Sequence, residues 1–368
     1  MERKEFLQRQ AASLLAKETR LLCRWATGAG KTNVALNFIR DHPGIRCLVL
    51  VPEQNNITNW LFEFDKFKVS HDNVTIACYA SFRKFADSQW DLIVFDEVPH
   101  IDTELRRAVC NSVSGVYVLA LGAVVDKDEL ASLEEAYGPF YISDITLKDA
   151  ILYGLVPKPR VCILHLEMDN KKKVFFYNHE KCTALEKYLF INKRLDDAKK
   201  SYEDNPTQGY KIRMQRLGNE RKRFLGSLKE DAVRKLCTRL QSKGKRFLCF
   251  CASIKQANNL GGANAFTSKT PKAMTVLNNF NDYKLSSLFA VSKLIEGQNL
   301  VGIESGIITQ LGNTPRITVQ MIGRILRSKN PIIYIPVFDN TKDDKFLLTV
   351  TDNVPEDCIQ HYKFSSVS

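Results

Sequence analysis

The feature that most constrains the fold is a glycine-rich turn near the start of the chain. An apolar run, Leu21–Cys23, leads towards the hexapeptide TGAGKT at 27–32, and a helical pattern follows from Asn33 to Arg40. Small residues let backbone N–H groups approach an oxyanion closely, and a helix N-terminus favours negative charge there. Strand, turn and helix in this order predict a phosphate-binding loop. The pattern G-x-x-x-x-G-K-[ST] is met except at its first position, which is Trp25.

The residue types at the end of this loop predict a nucleoside triphosphate and Mg²⁺ as ligands. Lys31 is suited to reach the β- and γ-phosphates, and the Thr32 hydroxyl is suited to ligate Mg²⁺. Asp96 and Glu97 follow another apolar run directly. A carboxylate at the end of a buried strand can hold Mg²⁺, and its neighbour can activate the attacking water. We therefore expect a nucleoside triphosphate and Mg²⁺ at one site.

Apolar runs that alternate with helical patterns predict the fold class. Continuous apolar runs such as 47–51 and 91–95 are typical of strands buried on both faces of a parallel sheet. The predicted class is α/β, with two tandem RecA-like parallel-sheet domains and a basic helical insertion between them. The predicted divisions are a first, ATP-binding domain at 1–157, a linker strand and basic helical insertion at 158–245, a second domain at 246–345, and a C-terminal tail at 346–368.

Positive charge is concentrated in the predicted insertion. The chain has a formal net charge of +12, and residues 168–245 hold 21 Lys and Arg against 10 Asp and Glu. Such a surplus indicates a polyanionic partner, although a charged face that is merely solvated is the alternative interpretation. We predict nucleic-acid contacts at Lys222, Arg223 and Lys229.

Composition excludes several other classes of protein. No apolar run approaches the roughly 18 residues of a membrane helix. The ten cysteines form no Cys-x-x-Cys pair, which argues against a zinc site or a disulfide framework. The polar start at 1–5 does not have the pattern of a signal peptide. We expect a cytoplasmic protein, monomeric and without membrane contacts.

A third pattern, at 320–327, places arginines on a predicted helix. Gln320, Arg324 and Arg327 are spaced i, i+4 and i+7, so they would share one face. Arginine carries a charge that does not titrate, and its planar fork matches phosphate oxygens. Taken alone, the segment is more typical of an amphipathic helix with a solvated basic face.

In their order along the chain, these segments resemble the superfamily 2 helicases of the DEAD/DEAH-box type. The residues at 27–32 are similar to motif I of that family, 48–60 to motif Ia, Asp96-Glu97 to motif II, 246–253 to motif IV, 293–299 to motif V and 320–327 to motif VI. The residues at 293–299 and 320–327 are most similar to those of the type III restriction-subunit-like branch and the small phage recombination and repair helicases.

The resemblance implies a role for each matching residue. The residues it implies for nucleotide binding are Gln10, Thr27, Gly28, Ala29, Gly30, Lys31, Thr32, Glu296 and Gly297. The residues it implies for catalysis are Lys31, Asp96, Glu97, Gln320, Arg324 and Arg327, with Thr32 and Asp96 as Mg²⁺ ligands. ATP would lie between the two domains, and hydrolysis would drive movement along nucleic acid, with DNA favoured over RNA.

Three departures from the family pattern leave alternatives open. His100 stands one residue later than the family's histidine, behind Pro99, and is either a coupling residue or inert. The segment at 121–124, LGAV, lacks the hydroxyls of motif III, and Trp25 stands where a smaller residue is usual.

The resemblance as a whole implies an ATP-dependent helicase acting in replication, recombination or repair. A duplex translocase that does not separate strands, or a partner-dependent motor subunit, is the alternative.

Overall fold

The computed structural model describes residues 2–86, 88–100, 103–291, 300–312 and 314–364. It contains two large parallel sheets, each with helices packed against it, so the predicted α/β class with two parallel sheets is confirmed. Within these residues, every helix is too short or too polar to span a bilayer.

The first sheet is built from the N-terminal part of the chain. Its strands are β1 (Arg20–Trp25), β2 (Cys47–Val51), β3 (Val74–Cys78), β4 (Gln89–Phe95), β5 (Ser114–Gly122) and β6 (Tyr141–Ile145). The helices that accompany them are α1 (Arg3–Glu18), α2 (Thr32–Asp41), α3 (Gln54–Phe67), α4 (Thr103–Cys110), α5 (Lys127–Tyr137) and α6 (Leu147–Leu152). The strand order is β3-β2-β4-β5-β1-β6, and all pairs are parallel.

The burial of these strands explains why their sequences are continuously apolar. Every residue of β2 is buried, and so are the last four residues of β4. Parallel strands covered by helices on both faces have no solvent-facing side, so apolar residues do not alternate with polar ones. The carboxyl ends of β1 and β4 meet at one edge of the sheet, which brings the turn after β1 near Asp96.

The insertion begins after β7 (Arg160–Leu166). It contains a small antiparallel hairpin, β8 (Phe175–Tyr177) with β9 (Glu180–Cys182), and two long helices, α7 (Ala184–Asp204) and α8 (Gln208–Leu228). Helix α7 buries Tyr188, Ile191, Leu195 and Ala198, which are the positions that its helical spacing predicts. A reciprocal cap between Thr183 and Glu186 starts the helix.

The second sheet combines strands from three parts of the chain. The remaining strands are β10 (Phe247–Cys251), β11 (Ala265–Phe266), β12 (Ser287–Val291), β13 (Ser305–Ile308), β14 (Ile332–Phe338) and β15 (Ile359–Lys363). The remaining helices are α9 (Glu230–Ser242), α10 (Ile254–Gly261), α11 (Ala273–Asn281), α12 (Pro315–Ile325) and α13 (Lys342–Thr351). The order is β11-β12-β10-β13-β14-β7-β15, so β7, which was predicted as a linker strand, pairs within this sheet.

Two features of the second sheet have no counterpart in the sequence patterns. The described residues beyond Asn340, most of which fall in the predicted C-terminal tail at 346–368, form α13 and the edge strand β15 of the second sheet. The apolar spacing at 225–240 continues through Lys229, where α8 ends, and α9 packs on the sheet through Val233, Leu236 and Leu240. Helix α9 therefore covers the second sheet, whereas α7 and α8 pair with each other.

Candidate functional site

The turn between β1 and α2 has the backbone conformation that a phosphate-binding loop requires. Gly28 and Gly30 have φ angles of 87° and 89°, in the left-handed region that favours glycine. A Cβ on Gly30 would lie 2.2 Å from the Gln8 Nε2 atom, so a side chain there would displace the end of Gln8. Lys31 is buried, and its Nζ donates to the Trp25 carbonyl at 3.0 Å. The glycines thus set the turn, and Lys31 lies back along it.

Gln8, and not Gln10, is the glutamine that contacts this loop. The Gln8 Nε2 donates to the Gly30 carbonyl at 3.2 Å, and its Oε1 accepts from Asn33 at 3.4 Å. Gln10 is exposed, so the prediction at that position is wrong. The reason is helical geometry: Gln8 shares the buried face of α1 with Ala11, whereas Gln10 lies about 200° around the helix from Gln8.

Trp25 belongs to the core of the first domain. Its side chain is 2% exposed, and its Nε1 donates to the Ser143 hydroxyl on β6 at 2.9 Å. The replacement of the usual small residue therefore falls on a strand position that packs inward. It does not line the cleft described below.

The acidic pair follows β4 and is held by two aromatic donors. The Asp96 Oδ2 accepts from the Trp60 Nε1 at 2.8 Å, and the Asp96 carbonyl accepts from the Tyr79 hydroxyl at 2.8 Å. Burial, together with the neighbouring Glu97 carboxylate, raises the pKa of Asp96 to about 6. Glu97 has a φ of 49°, which is uncommon for a residue with a side chain and is a form of strain found at functional sites.

One cleft of about 1040 Å³ brings the three predicted motifs together. Its lining includes the loop residues Thr27, Gly28, Gly30, Lys31 and Thr32, the acids Asp96 and Glu97, and Gln320, Arg324 and Arg327 of the second domain. Ala29 is buried beneath the loop and does not line the cleft. The two domains approach closely here, because a Cβ on Gly323 would lie 2.6 Å from the Thr27 Cβ.

The arginines reach this cleft from two different backbone conformations. Arg324 lies in the last turn of α12, but the helix ends at Ile325, so Arg327 is not on the predicted helical face. A tight turn after the helix, in which the Arg327 N–H donates to the Ile325 carbonyl at 2.8 Å, directs it to the same cleft. Burial and the nearby Arg324 lower the pKa of Arg327 to about 10. Two cations are thus held close together, and an anion between them would be stabilised.

Two of the departures from the family pattern contact each other. A Cβ on Gly122 would lie 3.2 Å from the Pro99 Cδ, so the proline ring fits over a position without a side chain. Pro99 and Gly122, which belongs to the hydroxyl-free segment at 121–124, are therefore sterically compatible. The side chain of His100 and the residues Glu296 and Gly297 lie outside the described residues, so those predictions stay predictions.

The donors that face the cleft fit a magnesium–nucleotide complex. Phosphate oxygens need N–H donors and cations, which the turn at 27–32 with Lys31 and the two arginines could supply. Mg²⁺ prefers oxygen ligands, and the Thr32 hydroxyl and the Asp96 carboxylate line the same space. The raised pKa of Asp96 fits as well, because a nearby cation would favour its ionised form.

A second cavity, of about 1520 Å³, opens between the first domain, the insertion and the second domain. We call it the groove. The basic residues along it are Lys222, Arg223, Lys255 and Arg316, and the acidic residues are Asp126, Glu129 and Glu230. Lys222 and Arg223 lie on α8, and Gln320 lines both the groove and the cleft. Two of the three predicted nucleic-acid contacts therefore share a concave, partly basic surface.

The third, Lys229, is not available to a ligand, so that prediction is wrong. Its side chain is 1% exposed and forms an ion pair with Asp343 at 2.8 Å. Its Nζ also donates to the Thr309 carbonyl and to the Gln310 Oε1, at 3.1 and 3.0 Å. Lys229 stands where α8 meets α9, and this network fastens the end of α8 to the second domain.

Gly226 and Gln256 strengthen the same junction. The Gln256 Nε2 donates to the Gly226 carbonyl at 2.6 Å, while its Oε1 accepts from the Thr309 hydroxyl at 2.9 Å. A Cβ on Gly226 would lie 2.5 Å from the Ala252 Cβ, so α8 approaches the loop after β10 closely. The wall of the groove formed by α8 is thus rigidly attached to the second domain.

The sequence patterns missed several residues that matter for this arrangement. Gln8 had a usable signal, since it falls on the helical period of the buried positions in α1. Trp60, which bonds Asp96, and Glu129, which binds Arg316 across the domains, had none, because their partners are distant in sequence.

Comparison with known proteins places these features in a family context. The family model described as the res subunit of type III restriction enzymes matches residues 2–127. A relative in the archaeon Sulfurisphaera tokodaii, described as the DNA 3'-5' translocase XPB2, is 24% identical over 365 residues. That match covers 88% of this chain and 78% of the relative.

Solved structures share the two-domain fold. The Hef helicase domain of Pyrococcus furiosus superposes with a TM-score of 0.59 at 13% identity, covering 95% of this chain and 99% of that domain. A fragment from Vibrio vulnificus assigned as the HsdR subunit of a type I restriction enzyme gives a TM-score of 0.57 at 17% identity. That match covers 96% of this chain and 66% of the fragment. The resemblance to restriction-enzyme motor subunits thus has support, whereas the link to small phage helicases stays a prediction.

Proposed function

We propose that this chain, which belongs to helicase superfamily 2, is an ATP-dependent motor that acts on DNA. The observation that carries the proposal is the single cleft in which the loop with Lys31, the acids after β4 and the arginines after α12 meet. A site divided between two domains can couple hydrolysis to their relative movement, because it is complete only when the domains are together.

Each side chain in the cleft has a role that follows from its chemistry. The turn at 27–32 and Lys31 would bind the phosphates, and Thr32 and Asp96 would hold Mg²⁺. When bound, the metal would neutralise phosphate charge. Glu97 would orient or deprotonate the attacking water, since its carboxylate stands beside Asp96 at the cleft.

The second domain would supply the transition-state charge. Arg324 and Arg327 would stabilise negative charge as it develops on the transferring phosphoryl group, with Gln320 beside them. Burial is the main cause of the lowered pKa of Arg327 and the nearby Arg324 is the second, and the positive charge of these two side chains would attract the phosphoryl oxygens.

We place the nucleic acid in the groove. Lys222 and Arg223 on α8, together with Lys255 on α10, would contact its phosphates. Because the end of α8 is fastened to the second domain, this contact would move with that domain. Helix α12 would connect the two activities, since it carries Arg316 at the groove and Arg324 at the cleft.

Translocation along duplex DNA without strand separation is the second candidate. The archaeal relative is described as a DNA translocase, and the segment after β5 lacks the hydroxyls of motif III. DNA is favoured over RNA on the description of that relative. Operation as a monomer in the cytoplasm remains a prediction.

The test is ATP hydrolysis by the purified chain, alone and with single-stranded DNA, duplex DNA, forked DNA or RNA. We expect stimulation by DNA, and release of a labelled strand from the fork separates a helicase from a translocase. Displacement of a bound triplex-forming strand without release from the fork would favour translocation. Hydrolysis that responds to none of the four nucleic acids would contradict the proposal.

A further inference from the structure

Glu129 joins the two domains through a pair of arginines. Its Oε1 accepts from the Arg316 Nη1 on α12 at 3.1 Å and lies 3.9 Å from the Arg106 Nη1 on α4. Its Oε2 accepts from the Asp126 N–H at 2.9 Å. The carboxylate is 8% exposed, so one buried acid is shared between a cation of its own domain and a cation of the other.

The two arginines differ in how easily they could leave this carboxylate. The side chain of Arg106 is 3% exposed, whereas that of Arg316 is 28% exposed and lines the groove. If Arg316 turned away, Glu129 would keep Arg106 and the Asp126 N–H as partners. The departure would therefore not leave a buried charge uncompensated, which is the usual large cost of breaking a buried ion pair.

A phosphate in the groove would compete for Arg316. Guanidinium groups bind phosphate and carboxylate oxygens with similar geometry, so a phosphate oxygen could replace the Glu129 Oε1 as the acceptor of the Arg316 hydrogen bond. The groove already places Lys222, Arg223 and Lys255 along the same cavity.

The consequence would reach the nucleotide cleft through α12. Arg316 lies in the first turn of this helix, Gln320 lines both cavities, and Arg324 lies in the last turn at the cleft. The two other members of the ion cluster lie on helices that follow strands of the first sheet. Arg106 is on α4, after the acidic pair, and Glu129 is on α5, after β5.

We infer that Arg316 is a positioning residue that exchanges between Glu129 and a nucleic-acid phosphate, and that this exchange couples the groove to the nucleotide cleft. The inference rests on the proposed function. Without nucleic acid, the Arg316–Glu129 pair holds the start of α12 against α5. With nucleic acid, Arg316 leaves Glu129, and α12 is released to place Arg324 on the phosphates. A ligand shifts such an equilibrium only through its different affinities for the two states, which the exchange provides.

Two substitutions on one ion pair test the exchange because they should act in opposite directions. Glu129→Asp keeps a charge for Arg106 but shortens the reach towards Arg316, so Arg316 becomes available to DNA. Arg316→Gln removes the cation from both partners. We expect DNA affinity, measured by fluorescence anisotropy without ATP, to rise about fivefold or more in the first variant and to fall by a similar factor in the second.

Hydrolysis provides a second readout. In Glu129→Asp the basal rate should rise towards the DNA-stimulated rate, whereas in Arg316→Gln the stimulated rate should fall towards the basal rate. Arg194→Gln is the matched control, since Arg194 forms an exposed pair with Glu220 within the insertion. It should change neither quantity by more than about twofold.

A merely structural ion pair would give a different result. Both variants would then lower the unfolding midpoint together and change DNA affinity in the same direction, or not at all, which would overturn the inference. If a substitution prevents folding, Glu129→Gln and Arg316→Met repeat the comparison with the same opposite signs. An unaltered chain whose hydrolysis ignores DNA would overturn the proposed function, and the affinity comparison distinguishes that failure from this one.

Discussion

The cleft and the groove meet at α12 but are built in different ways. The predicted residues of the cleft come from short contiguous motifs, so local sequence points to them, although Gln8 and Trp60 also line the cleft and were missed. The groove collects residues from the insertion and both domains, and its basic residues are a few among many in the charged region. The comparison shows that chemistry tied to a backbone turn can be predicted from sequence, whereas the choice among charged residues on helices depends on packing.

The largest expected effect concerns Lys229, whose ion pair and hydrogen bonds fasten the end of α8, one wall of the groove, to the second domain. Lys229→Met should lower the free energy of unfolding by about 3–5 kcal/mol, because Asp343 is left buried and unpaired. Urea unfolding measures it. The matched control is Lys235→Met, a lysine of α9 that is exposed at the surface. A decrease in the free energy of unfolding below about 1 kcal/mol in Lys229→Met would contradict the buried network. Lys229 would then have to be counted as a third basic contact of the groove.

Removing the cation of the cleft should be the next largest effect. Lys31→Ala should reduce ATP hydrolysis by about a hundredfold to a thousandfold, the range for losing a preorganised charge at a reacting group. DNA affinity in the absence of nucleotide should stay close to that of the unaltered chain. Lys148→Ala, on α6 and exposed, is the control. Undiminished turnover in Lys31→Ala would show that the cleft is not the site of hydrolysis.

Ionised Asp96 should lower the free energy of unfolding at pH values above the pKa of this side chain. Its pKa is raised from 3.8 to about 6, so the folded state binds the proton more tightly than the unfolded state. The contribution of Asp96 to stability is therefore most favourable below pH 4 and is lost as the pH rises to 6. Asp96→Asn should raise the free energy of unfolding at pH 7.5 by about 1–3 kcal/mol and change it little at pH 4.

The measurement is urea unfolding of both chains at the two pH values, without Mg²⁺. The exposed Asp65 on α3 gives the control variant, Asp65→Asn. Added Mg²⁺ should stabilise the unaltered chain at pH 7.5 more than at pH 5, because the ligand must be deprotonated. A stabilisation of Asp96→Asn that is the same at both pH values would contradict the raised pKa.

The smallest effect tests the wall of the groove. Reversing the charges at Lys222 and Arg223 to Glu should weaken DNA binding and lower the dependence of log affinity on log salt by about one unit per lost phosphate contact. The same reversal at Lys211 and Arg213, which are exposed near the other end of α8, is the matched control. Equal loss in both pairs would mean that the insertion acts through its overall charge and that the groove is not special.

The success of sequence reasoning differed between strands and helices. The buried strands β2 and β4 were predicted because strands covered on both faces must be continuously apolar. The edge strands β3, β6 and β15 were missed, because they are partly exposed and their sequences are mixed. Arg327 was expected on a helix that ends at Ile325, since helix ends depend on local turns that apolar spacing does not define.

The sequence by itself determined the phosphate-binding turn and the place of the acidic pair directly after a buried strand. The reason is that glycine conformation and strand ends are local properties, and each motif carries its own geometry. The tertiary structure alone decided that Gln8 rather than Gln10 contacts the turn and that Lys229 is buried against Asp343. It alone also decided that Glu129 and Arg316 meet across the domains. Those choices depend on partners far away in the chain, and only folding brings them within hydrogen-bond distance.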